Sequence, residues 1–325
     1  MPNRPLVRSA PVRLLMVVNA FASSVTARNR VIVHRALSQR HDVEAVETNR
    51  RGHATRFAHD AARRGLDAVV AFGGDGTLNE VATGLAGSNT ALAVLPGGST
   101  NVFARTIGLP NDPVKAVHLI VDALDAGAVQ SVGLGRVNDR YFCFHTGIGF
   151  DAAVVAAVER HAQMKRWAGH PLFVSAALQT WMRGYDRTRG HFSIEVTETD
   201  EGATGPAVVD AALFTVVLNT NPYTYLGNRP LDLSPHAGLD RSLVAVSFTA
   251  LTARALLGSL AGALRGGGVA PARHLVVQTG LRRFVVAGDH AFPYQVDGDH
   301  LGDTDRLRFS YEPGILRLVM PASTT

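Results

Sequence analysis

Five consecutive residues, Gly73-Gly74-Asp75-Gly76-Thr77, constrain this chain more than any others. The run Asp67–Phe72 before them is apolar and reads as a buried strand; Leu78–Ala82 after them reads as a helix. A glycine-rich turn from strand to helix is a phosphate-binding geometry. The backbone approaches the anion without Cβ atoms in the way, and the free N–H groups of the helix start point at it. Asp75 adds a second constraint, because a carboxylate beside phosphates is unfavourable unless a metal or a polar network offsets it. The turn therefore points to metal-nucleotide chemistry, although similar turns also join strands to helices where nothing binds.

The surrounding pattern supplies a fold class. Through about residue 130, strands predicted at Val12–Val18, Val43–Glu47, Asp67–Phe72 and Ala91–Leu95 alternate with helices predicted at Asn29–Gln39, His53–Arg64, Thr100–Ile107 and Asp112–Asp125. Such alternation implies an α/β domain with an open parallel sheet, whose ligands lie at the carboxyl ends of its strands. The turns at 73–77 and 96–99 both fall there. Beyond 130, short strand-like runs separated by polar turns predict a β-rich antiparallel sandwich or barrel-like domain over 131–325, with helices at Asp151–His161, Pro171–Met182 and Leu251–Leu264. The last strand is free to return to the first domain.

Composition excludes several classes. The chain has 325 residues, 46% hydrophobic and 18% charged, enough for two real cores. A single cysteine, Cys143, rules out an internal disulfide and any paired-cysteine zinc site. The net charge of +5 is carried almost wholly by arginine, scattered among few aromatics, so nucleic acid is not an expected partner. Leu14–Val18 after Arg4, Arg8 and Arg13 mimics a signal peptide, but Asn19 interrupts it, and a first strand ending in a functional loop is the better reading. No apolar run is long enough to span a membrane.

Further residues carry chemistry. Ser99 and Thr100 open a predicted helix after Pro96-Gly97-Gly98 and either cap it or donate to a phosphate or ribose. Asn19 follows the first strand, as a ligand contact or as a loop-capping amide. Asp151 opens a helix as its cap. Asp297-Gly298-Asp299 reads by itself as an Asp-Gly hairpin turn. His145, on an apolar strand, reads as a core histidine. Tyr223, Tyr225, Trp181 and Phe292 read either as core or as the lining of an acyl-chain channel. Lys165-Arg166-Trp167 and the arginines from Arg183 to Arg189 read as a solvated basic face or as a dock for anionic lipid head groups.

Five segments, in order along the chain, together resemble the diacylglycerol kinase catalytic family, which includes sphingosine kinases and bacterial soluble lipid kinases and is distantly related to NAD kinases. They are Gly73–Thr77 with Asn79-Glu80; Pro96–Arg105; Gly147–Ala152; Leu233–Ala237 with Asp240; and Gln295–Asp299. The resemblance implies an ATP-dependent lipid kinase using Mg²⁺, with nucleotide and acceptor meeting in a cleft between the domains. It implies nucleotide contacts from Asn19, Gly73, Gly74, Asp75, Gly76, Thr77, Gly98, Ser99, Asn101 and Asp299. Asp75 and Asp299 would hold the metal through water, Asp297 would be the general base, and Asp151 would orient the acceptor's head group. The implied partner is a lipid at a membrane surface, and the implied location is the cytoplasm, peripheral to the inner membrane face; a homodimer is left open. Ser99 replaces a usual threonine and keeps its hydroxyl, Asn19 alone remains of a usual Asn-Pro and Gly-rich loop, and three further positions depart from the family pattern. Val102 stands where an aspartate is usual, Asp299 where a glutamate is usual, and Arg241 replaces a glycine beside Asp240, so a structural metal there is not expected. On this reading Asp297→Asn abolishes turnover with little loss of folding. The alternatives are an NAD kinase-like enzyme and a non-catalytic nucleotide- or lipid-binding homologue.

Overall fold

The computed structural model describes residues 11–159, 185–186 and 188–321. The expected helix at Pro171–Met182, with Trp181, Lys165-Arg166-Trp167 and Arg183, lies outside the described residues. The chain divides into two compact units, Met1–Val132 with Ile315–Thr325, and Gly133–Gly314.

The first unit follows the alternation of its sequence. Its strands are β1 (Arg13–Val18), β2 (Asp42–Glu47), β3 (Ala68–Gly73) and β4 (Ala91–Pro96); its helices are α1 (Ala27–Ser38), α2 (His53–Arg63), α3 (Asp75–Leu85), α4 (Val102–Thr106) and α5 (Pro113–Asp125). β1 pairs in parallel with β2 and β3, and β3 with β4. Every residue of β3 and β4 is buried, the mark of strands covered on both faces. β2 is largely exposed and forms the edge. Helix starts follow their caps. Thr26 accepts from the Asn29 N–H, and Asp112, followed by Pro113 at the first helical position, accepts from Val114 and Lys115.

The second unit contains β6 (Arg140–Phe142), β7 (His145–Gly149), α6 (Phe150–Glu159), β8 (Phe192–Thr199), β9 (Val208–Ala212), β10 (Phe214–Leu218), β11 (Thr224–Leu226), β12 (Arg229–Leu231), β13 (Leu243–Phe248), α7 (Ala253–Arg265) and β14 (Leu275–Val296). β5 (Val129–Val137) leads into it, and β15 (Asp299–Val319) carries the chain back to the first unit, where Leu318 pairs in parallel with Leu92. Among the described residues, the pairings among strands β6 to β14 within the second unit, and that of β14 with β15, are antiparallel. Parallel pairs thus hold β1–β4 and the end of β15, and antiparallel pairs predominate elsewhere among the described residues.

Nor does the β-rich unit form a sandwich of facing sheets. β14 pairs with β13 through Leu275–Leu281 and with β7 through Tyr294–Val296, while β10 bridges β7 and β13. The sheet therefore closes on itself. Within Leu275–Val296, Thr279-Gly280 and Gly288-Asp289-His290 have the composition of turns. They are bends within one strand, and register shifts between Ala287 and Phe292 and between Pro293 and Gln295 mark irregularities that let it curve. Alternate residues feed two cores, as the two-residue period of a strand requires. Val217 and Ala245 join a cluster with Phe142, Phe192, Phe284, Phe292 and Phe309; Val216, Val244 and Val246 join another with Phe150 and Ala263. Phe292 is 1% exposed and belongs to the first cluster, so it is packed core and does not line a channel.

Candidate functional site

In the first unit the two glycine turns pack directly on one another. Gly97 N–H donates to the Gly73 carbonyl at 2.7 Å. A Cβ on Gly97 would lie 2.7 Å from the Gly73 Cα, and one on Gly98 would lie 2.9 Å from the Gly74 Cα. These glycines are required for the close approach itself, whatever binds nearby. Gly76 differs. It is exposed in the first turn of α3, and a Cβ there would meet nothing within 4 Å.

The polar residues around these turns have specific partners. Asn19 Nδ2 donates to Thr77 Oγ1 at 3.0 Å, its Oδ1 accepts from Phe21 N–H, and its own N–H donates to the Phe72 carbonyl. It therefore ties the end of β1 to the start of α3. Asn101, in a left-handed conformation with φ of 49°, clamps the second turn. Its Oδ1 accepts from Gly98 N–H, and its Nδ2 donates to the Gly98 carbonyl and to Asn111 Oδ1. Ser99 is exposed. Glu80 accepts from the N–H groups of Gly52 and Ala54 at the start of α2.

Asp75 has a use that its position in the motif did not suggest. Its Oδ2 accepts from Val102 N–H at 3.0 Å and its Oδ1 from Phe103 N–H at 3.2 Å, so it caps α4. Burial pushes its carboxyl above the usual range, and these two bonds oppose the rise. Position 102, which lacks the expected acid, contributes its backbone to the acid that remains.

In the second unit Asp297-Gly298 is the two-residue turn between β14 and β15. Its φ values are 48° and 83°, and Val296 pairs with Asp299. Positive φ at both central residues is what an Asp-Gly hairpin supplies. The Asp297 side chain does more. It is 7% exposed, and its Oδ2 accepts from Cys143 N–H at 2.7 Å. Its Oδ1 accepts from Phe144 and His145 N–H, both at 3.0 Å. Three successive backbone N–H groups thus hold the carboxylate in a nest. Asparagine here would turn an NH₂ group or a poorer acceptor toward those donors, so the expectation that Asp297→Asn leaves folding almost untouched does not fit the geometry.

Asp151 is joined to this turn through a residue to which the sequence gave no role. Gln295, fully buried, donates from Nε2 to Asp151 Oδ2 at 2.7 Å and accepts Gly298 N–H on Oε1 at 2.8 Å. The Tyr223 hydroxyl donates to Asp151 Oδ1, and the Tyr223 ring packs 4.4 Å from that of His145. Burial raises the Asp151 carboxyl, with the Tyr223 and Gln295 bonds opposing it. It also raises the Tyr223 hydroxyl well above its ordinary value and holds the His145 imidazole neutral, down to about 3. Asp299 pairs with Arg140 at 3.0 Å, another residue the sequence did not single out. Arg140 carries no motif signal, and Gln295 stands in a family-like segment without a role of its own; only the pairing of distant strands reveals what they touch. Asp240 is exposed beside Arg241, 3.9 Å away. Among the described residues no three His, Cys, Asp or Glu side chains gather as a metal cage.

Comparison with known proteins places this arrangement. The family model of the diacylglycerol kinase catalytic domain matches residues 13–137. A protein of Pseudomonas aeruginosa (strain UCBPP-PA14) named "Probable lipid kinase YegS-like" is 31% identical over 275 residues, 84% of this chain and 83% of its own. The diacylglycerol kinase of Bacillus subtilis (strain 168) is 41% identical over 101 residues, 30% of this chain and 32% of its own. The crystal structure of a diacylglycerol kinase from Bacillus anthracis superposes with a TM-score of 0.69 over 96% of this chain and 98% of its own; at 19% identity it speaks for the fold alone. With a relative matched along most of both chains, and with the glycine turns inside the matched segment, the chain belongs to the diacylglycerol kinase family of lipid kinases.

Proposed function

We propose that the protein transfers the γ-phosphate of ATP to a hydroxyl of diacylglycerol or a related lipid, working peripherally at the inner face of the membrane. The first unit supplies the nucleotide site and the second the acceptor site. The hydroxyl oxygen bonds to the γ-phosphorus, the bond to the bridging oxygen breaks, and its electron pair leaves with ADP. The hydroxyl proton passes to the Asp297 carboxylate, held in place by its three N–H donors.

The observation that carries this reading is the turn at Gly73–Thr77. It ends a fully buried strand, starts an 11-residue helix, and leaves Gly76 open where backbone N–H groups meet an anion. The residues present suit nucleotide phosphates better than a resident metal. Asp75 caps α4 and Asp299 pairs with Arg140. Mg²⁺ would therefore come with the phosphates, as that ion commonly does, and not from a protein cage.

The test is a phosphorylation screen with γ-labelled ATP and Mg²⁺. Label is expected in the organic phase when total lipid extract or diacylglycerol is the acceptor, and not in NAD. Label in NAD alone would replace this reading with an NAD kinase-like one. A second reading, a non-catalytic homologue, draws support from Val102 and from the structural use of both Asp75 and Asp297. Nucleotide binding without transfer to any lipid would favour it.

A further inference from the structure

The helix α7 presents an apolar face to solvent. Thr252 caps it by accepting Ala255 N–H at 3.2 Å, and Ala263 anchors it on the core under the closed sheet. Leu257, Leu260 and Leu264 remain 65%, 40% and 37% exposed. At 3.6 residues per turn their directions fall within an arc of about 60°. Arg254 and Arg265 project from the adjoining arc, and both are exposed. Arg273 and His274 are exposed just beyond the helix.

The charge of this stretch of sequence is one-sided. From Arg241 through Gly288 the chain runs 48 residues with six arginines and no Asp or Glu. Several exposed arginines have acidic partners, as in Arg30–Glu47 and Arg64–Glu44, and within the segment Arg241, Arg282 and Arg283 pair with Asp240, Asp200 and Glu198 from outside it. Arg254, Arg265 and Arg273 form no ion pair among the described residues. Exposed leucines at helical spacing, flanked by unpaired cations, are the pattern of a helix lying in a bilayer interface. Thirteen residues are too few to cross a membrane.

We propose that the Leu257–Leu260–Leu264 stripe of α7, with Arg254, Arg265 and Arg273, is a docking surface for an anionic lipid bilayer. It rests on the lipid-kinase reading, since it gives that enzyme its approach to an acceptor held in a membrane. A second copy of the chain fits the surface less well. A two-fold contact through the stripe would set arginines against arginines with no acid in the segment to offset them. Anionic head groups supply the missing charge.

The experiment is sedimentation of the full chain with vesicles of equimolar phosphatidylcholine and phosphatidylglycerol, or of phosphatidylcholine alone. Wild type should partition onto the anionic vesicles. Leu257→Glu/Leu260→Glu should weaken binding at least tenfold, and Arg254→Gln/Arg265→Gln should remove the preference for anionic lipid and much of its salt dependence. Both variants should keep the wild-type melting temperature and the wild-type rate on detergent-dispersed diacylglycerol. Absence of that rate in all three proteins, with vesicle binding still following the stripe, would support the surface and count against the lipid-kinase reading. Equal partitioning of wild type and both variants would overturn the proposal. So would a wild-type dimer by light scattering that the leucine variant dissociates, with no loss of vesicle binding.

Discussion

The turns at Gly73–Thr77 and at Asp297–Asp299 look alike in sequence, each placing aspartate and glycine after a buried strand. They differ in what is left over. In the first, Asp75 caps α4 while Gly76 keeps its surroundings open. In the second, the hairpin is tight and its aspartate is buried under three backbone donors. An acidic residue in a motif is thus no measure of a free acid. The opening beside it says more about where a ligand goes.

The largest expected effect that separates the two turns is at Asp297. Asp297→Ala leaves three N–H groups without their acceptor, and a loss of about 3 kcal/mol or more is expected in urea unfolding. Asp297→Asn should fall between this variant and wild type. If either variant unfolds like wild type, the nest has no structural role and the two turns are equivalent. Loss of transfer in Asp297→Asn is therefore informative only at temperatures where the variant remains folded.

The next effect is in pH. The folded His145 imidazole titrates at about 3, below the roughly 6.5 of an unfolded histidine. The unfolded chain therefore binds more protons between these values. The contribution is fully present above about pH 6.5 and is lost as pH falls toward 3, by at most about 1.4 kcal/mol per pH unit. Asp151 acts in the opposite sense. Its raised carboxyl contributes below the unfolded value near 3.9 and loses that contribution as pH rises through the folded one. His145→Gln should flatten the acid limb of a stability–pH curve measured between pH 7 and 4. An unchanged slope would show that His145 is not what is being titrated.

Much of this was legible in sequence, for reasons that particular elements make plain. Strong periodicity and caps announced α5, with Asp112 before Pro113, and apolar continuity announced β3 and β4. The barrel-like alternative was open in sequence, but the continuity of β14 was not legible, because it runs through glycines that by themselves signal turns. Among the site residues, Asn19, Gly73, Gly74, Asp75, Gly76, Thr77, Gly98, Ser99 and Asn101 all fall on the two packed turns or the loop beside them. Their partners could not be read. The Asp75 bond to Val102 spans 27 residues and the Asp151 bond to Gln295 spans 144, and local pattern carries no trace of either.

The smallest effect is at Arg140–Asp299, a partly exposed pair at 3.0 Å. Arg140→Gln should cost no more than about 1 kcal/mol, and the difference from wild type should shrink in high salt. A larger loss, insensitive to salt, would make the Asp299 side of the hairpin as structural as Asp297.

The central claim is that the opening at Gly76, and not the acid beside it, marks the phosphate site. Calorimetric titration of ATP into wild type and Gly76→Ala tests it most directly, because the new Cβ meets no protein atom within 4 Å. The account predicts a melting temperature equal to or above wild type, since alanine favours a helix over glycine, with ATP affinity at least tenfold weaker. Equal affinity in the two proteins would contradict it.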